Sequence, residues 1–133
     1  MTDRELRHYL SAIVDKLKAL DPYKVILFGS SVQGQQTPAS DIDLIVVTND
    51  DYIIASYEEK IELHLRISAT LREIMKQVPV DLIVYTRPTY EKFMELGGMF
   101  SKEIGRKGKI LYERSFQSER RLTKIRQPEE RGK

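Results

Sequence analysis

Two apolar runs in this chain begin in the same way. In "DIDLIVV" (41 to 47) and "VDLIVY" (80 to 85), aspartate stands at the start of a stretch that is otherwise aliphatic or aromatic. Side chains alternate across a strand, so Asp41 and Asp43 share a face with Ile45 and Val47, and Asp81 shares one with Ile83 and Tyr85. Such strands fit a chain that buries most of their length and leaves their first residues at an open end of the sheet. If the two strands are neighbours in register, three carboxylates converge there.

The rest of the chain supplies a core for such a sheet. Its 133 residues, 41% hydrophobic and 32% charged, suit one domain. Thr2 and Glu5 have capping-box spacing, and Leu6, Leu10, Ile13, Leu17 and Leu20 recur with helical period up to Asp21-Pro22. "KVILF" (24 to 28) reads as a buried strand running into Gly29-Ser30, with a short helix from Ser30 to about Gln36. Residues 52 to 78 read as one long helix whose apolar row starts at Tyr57, Ile61 and Leu65 and continues through Ile67, Leu71, Ile74, Met75 and Val78. "PVDLIVYT" (79 to 86) is the third strand. Pro88 opens a helix, Gly97-Gly98 separates it from another, and "KILYE" (109 to 113) is a last edge strand. The expected fold class is α+β: a small mixed β-sheet backed by helices.

Charge divides the chain unevenly. Residues 1 to 101 carry a net −4 and residues 102 to 133 a net +6. The expected division is a domain over 1 to 114 and a basic, polar, partly disordered tail over 115 to 133, which has few apolar residues to anchor it. There is no cysteine, no apolar run long enough to span a membrane, and the start "MTDRELRHYL" is too polar for a signal peptide, so the expected compartment is the cytoplasm. A nucleic-acid role is disfavoured, because no recognition motif or aromatic-and-basic stripe is present.

Three clustered carboxylates repel one another unless something positive neutralises them. Oxygen ligands without nearby His or Cys suit a hard ion, Mg²⁺ or Mn²⁺, which is commonly shared with substrate phosphates. Gly29 permits a close backbone approach, Ser30 offers a hydroxyl, and amides opening a helix point at an anion. His8 and His64 lack paired ligand spacing and read as structural or solvated; Tyr85, Tyr90 and Tyr112 read as packing.

On these residues, "FGSSVQGQQTPASDIDLIVV" resembles the signature of the polymerase-β-type nucleotidyltransferases, with "VDLIVYT" in the place of the third-carboxylate strand. Chain length and "GRKGKILYER" look most like the minimal nucleotidyltransferases, small proteins paired with a helical HEPN protein as the antitoxin of a toxin-antitoxin system. The resemblance implies that Gly29, Ser30, Gly34 and Ser40 bind nucleotide, and that Asp41, Asp43 and Asp81 are catalytic and hold Mg²⁺ or Mn²⁺. It implies transfer of a nucleoside monophosphate, AMP from ATP, from an NTP to a hydroxyl such as a partner's tyrosine. Its partners would be a helical HEPN-type protein or further copies of itself.

Many relatives place arginines just after Gly-Ser, where this chain has Ser31, Val32 and Gln33. Lys24 and Arg87 are the conceivable substitutes, though each also reads as an ordinary surface residue. The departure keeps a second reading open, a catalytically weak antitoxin or binding module that neutralises its partner by contact.

Overall fold

A computed structural model describes residues 1 to 29 and 42 to 114. The elements run α1 (Asp3–Lys18), β1 (Lys24–Phe28), β2 (Ile42–Thr48), α2 (Tyr57–Thr70), α3 (Arg72–Met75), β3 (Val80–Thr86), α4 (Arg87–Leu96), α5 (Met99–Lys107) and β4 (Lys109–Glu113). The short helix expected from Ser30 and the tail after Arg114 lie outside the described residues.

The strands form one mixed sheet in the order β3-β2-β1-β4. β1 is antiparallel to both β2 and β4, whereas β2 and β3 are parallel because the chain returns through α2 and α3 before entering β3. Both faces are covered. Val25, Leu27, Leu44, Val46, Leu82 and Val84 meet α1, α2 and α3 through Ile13, Leu17, Leu63, Ile67 and Ile74. On the other face Ile26, Ile45 and Val47 meet Tyr90 of α4 and Ile104 of α5.

Local signals end the helices where expected. Thr2 accepts a hydrogen bond from the Glu5 amide while the Glu5 carboxylate accepts one from the Thr2 amide, closing the capping box of α1. Pro88 sits in the first turn of α4. That helix ends at Gly97, whose φ of 66° is the left-handed conformation glycine adopts without a Cβ penalty.

The segment from 52 to 78 departs from the expected single helix. Ser56 caps α2, so 52 to 56 precede it, and the helix breaks at Leu71 before the single turn of α3. Ser68 and Thr70 donate their hydroxyls to the carbonyls of Leu65 and Arg66, a local competition that weakens the last turn. The break turns Leu71, Ile74 and Val78 into the core beside Leu63 and Ile67. The other part of the expected apolar row faces away: Tyr57 is 73% exposed, Ile61 39% and Leu65 60%. Two apolar rows share this helix, and the one that continues through Leu71 and Ile74 takes the sheet.

Candidate active site

Asp43 and Asp81 are register partners on the parallel pair β2 and β3. Neighbouring strands lie about 4.8 Å apart, and in-register residues of a parallel pair present side chains to the same face. The face is that of Ile45, Val47, Ile83 and Tyr85, as the alternation predicted. Asp43 is partly exposed and Asp81 exposed, while Leu44 and Leu82 next to them are buried beneath the opposite face. The Ile42 amide donates to the Pro79 carbonyl at 3.0 Å, tying the two strands together just before their aspartates.

Gly29 completes the described part of the site. Phe28 pairs with Asp43 across the antiparallel β1-β2 ladder, so the chain leaves β1 directly over the aspartate, and Gly29 turns there with a φ of 83°. Phe28 meets Phe100 of α5 edge-on with ring centroids 5.1 Å apart, and Tyr85 stacks on Phe93 of α4 at 5.3 Å. The carboxylates therefore stand at the rim of an aromatic layer. Burial raises the pKa of the Tyr85 phenol, and Tyr90 is 6% exposed; both pack in the core, as expected.

Asp41, Ser30, Gly34 and Ser40 lie outside the described residues. Among the described residues no cluster of three or more His, Cys, Asp or Glu side chains forms a metal site. The Asp43-Asp81 pair still fits a hard divalent ion, because both donors are carboxylate oxygens on adjacent rigid strands beside a position that only a glycine leaves open.

The chain matches the family model of the nucleotidyltransferase domain over residues 10–127. It belongs to that family. The nucleotidyltransferase is similar to the crystal structure of a toxin-antitoxin with AMP-PNP, at 22% identity over 88% of this chain and 82% of that one, TM-score 0.49. It is also similar to a mutant of the toxin-antitoxin MntA-HpeT, at 20% identity over 88% of this chain and 81% of that one, TM-score 0.47. No curated protein matches it.

In this nucleotidyltransferase the cations considered as substitutes for the absent arginines stand at the wrong end of the sheet. Lys24 pairs with Val47, four strand residues or roughly 13 Å beyond the level of Asp43, and Arg87 follows Thr86, which lies five strand residues or roughly 17 Å beyond Asp81. Both are engaged there: Lys24 with Glu113 at 3.7 Å, Arg87 with Glu91 at 3.4 Å and over the Tyr23 ring at 4.7 Å. Lys24 opens β1 and Arg87 follows the last residue of β3, in each case at the end of the strand away from the site. His8 contacts the edge of Tyr9, and the Tyr112 hydroxyl donates to Asp21.

Sequence reasoning missed the contact between Gly29 and Asp43. It also missed a second polar feature at the far end of β2, where Asp50 pairs with Arg66 at the edge of a cavity of about 260 Å³ lined by Leu17, Leu20, Val46, Thr48 and Ile67. Partial burial pushes the Asp50 carboxyl upward, but hydrogen bonds from Arg66 and Thr48 outweigh it and leave its pKa below the usual value. No local pattern links residues 50 and 66 in the sequence. Thr86 is another such tie: its buried hydroxyl donates to the Tyr52 carbonyl and thereby fixes the loop ahead of α2.

Proposed function

We propose that this nucleotidyltransferase moves AMP from ATP to a hydroxyl of a partner protein, such as a tyrosine, and that it serves as the antitoxin of a HEPN-type toxin in the cytoplasm. The observation that carries the reading is the in-register Asp43-Asp81 pair beside Gly29. Asp41, two residues from Asp43, would join them in holding Mg²⁺ or Mn²⁺. Bound there, such an ion would neutralise phosphate charge and favour loss of pyrophosphate. In the transfer itself the acceptor oxygen bonds to the α-phosphorus, the bond to the pyrophosphate oxygen breaks, and the acceptor proton is released. The chain contributes positioning: Asp43 and Asp81 stand in register on two paired strands, and, as the resemblance implies, Gly29, Ser30, Gly34 and Ser40 would bind the triphosphate.

A calorimetric titration with ATP, in Mg²⁺ and again in EDTA, tests this site. Saturable heat in Mg²⁺ that disappears in EDTA is expected; equal binding in both would remove the metal from the reading.

Contact-only neutralisation is the second reading. Ser31, Val32 and Gln33 stand where many relatives have arginines, and Lys24 and Arg87 are committed elsewhere. Absence of ATP binding both alone and with the partner present would favour it.

Support for a partner comes from α2, where Tyr57, Ile61 and Leu65 lie on successive turns and face solvent. Apolar side chains spaced four apart are the pattern by which one helix docks against another. Leu65→Glu is expected to weaken binding of the helical toxin at least tenfold in a pull-down titration and to shift Tm by less than about 2 °C, since the side chain is mostly exposed. Unchanged toxin binding would exclude this face, and a change confined to self-association in light scattering would reassign it to a second copy of the chain.

A further inference from the structure

Gly29 stands so close to Asp43 that no side chain fits between them. A Cβ built on Gly29 falls 2.9 Å from Cγ and 3.2 Å from Cβ of Asp43, and the carboxylate oxygen lies nearer still. Real Cβ atoms essentially never approach a heavy atom so closely, so any residue other than glycine must push the aspartate aside. The backbone adds an independent demand, because a φ of 83° is costly for L-residues that carry a Cβ. Both follow from the ladder: Phe28 is the register partner of Asp43, and the next residue must turn away across that carboxylate.

We propose that Gly29 is a positioning residue for Asp43, holding its carboxylate in register with Asp81 by leaving vacant the space a side chain would fill. The proposal rests on the metal site put forward above and adds a role that a phosphate-binding turn does not require. A turn that only approached a triphosphate would leave the aspartate untouched by a methyl group at position 29. Here the methyl group collides with the aspartate itself. The two carboxylates sit on adjacent strands with a spacing set by the sheet, so displacing one alters the pair of oxygens available to a divalent ion.

The test is a cycle on the full chain: wild type, Gly29→Ala, Asp43→Ala and the double variant, with Mn²⁺ binding read by electron paramagnetic resonance and Tm by calorimetry. Gly29→Ala is expected to weaken Mn²⁺ binding at least about tenfold, and Asp43→Ala is expected to do the same. The Tm lost on adding the methyl group should be clearly larger when Asp43 is present than in the Asp43→Ala background, because backbone strain is common to both and collision with the carboxylate is not. Wild-type Mn²⁺ affinity in Gly29→Ala, or additive Tm losses, would overturn the proposal.

Failure of the underlying site would look different. If the wild type takes up no Mn²⁺ even with ATP, the proposed metal site falls, and the Tm cycle alone decides the Gly29-Asp43 contact: non-additive losses support it and additive losses overturn it. If Gly29→Ala does not fold but the double variant does, the collision is demonstrated. If neither folds, the glycine serves the backbone and the positioning role is overturned.

Discussion

Asp43→Asn is expected to weaken Mg²⁺-dependent ATP binding about 100-fold, equivalent to about 2.8 kcal/mol, while leaving Tm within about 2 °C of the wild type. Asparagine keeps the shape of the side chain, so the fit against Gly29 is retained and only the charge is removed. The carboxylate is the better ligand for a hard cation, and its loss falls on the metal-bound state alone. In the metal-free protein Asp43 is a partly exposed residue at the open end of its strand, so removing its charge disturbs the folded core little. Function and stability thus respond differently, as expected of a group placed for binding. Asp81→Asn should behave in the same way. Calorimetric titration and differential scanning calorimetry on the two variants provide the check, and wild-type binding in both would show that these strands do not hold the metal.

The neighbouring residue on β2 should show the reverse. Leu44 is 1% exposed and lies on the face opposite Asp43, between Leu27 of β1 and Leu82 of β3. Leu44→Ala removes buried methyl groups from the central part of the sheet and leaves a cavity, a change that costs about 2–5 kcal/mol. For a domain of this size Tm should fall by about 10 °C or more. Well below the transition, ATP and Mg²⁺ should bind within about threefold of wild type, because Leu44 contributes to the core shared with α1 and α2 and not to the carboxylate face. Loss of binding with little loss of Tm would mean that the two faces of β2 have been assigned the wrong way round.

Together the two variants test one structural statement, that alternate residues of a single strand serve different ends. That statement was legible in "DIDLIVV", since the two-residue period of a strand needs no tertiary information. The capping box at Thr2 and the break at Gly97 were legible for the same reason, because each is a contact or conformation within a few residues. The α2 segment was less so. Both of its apolar rows have helical spacing, and nothing local states which one will meet the sheet; Leu71 and Ile74 decided it by extending one row past the helix break.

By itself, then, the sequence determined the strands, the faces their aspartates occupy and the kind of ion those carboxylates suit, all of which follow from short-range periodicity and side-chain chemistry. Only the tertiary structure decided that β2 and β3 are parallel and in register, which sets Asp43 beside Asp81. It also sent Lys24 and Arg87 to the opposite end of the sheet and brought the bare backbone of Gly29 against the Asp43 carboxylate. Strand pairing joins Phe28 to Asp43, 15 positions on, through a chain reversal and Asp43 to Asp81, 38 positions on, through a helical crossover, and its register is set by the packing of the whole core.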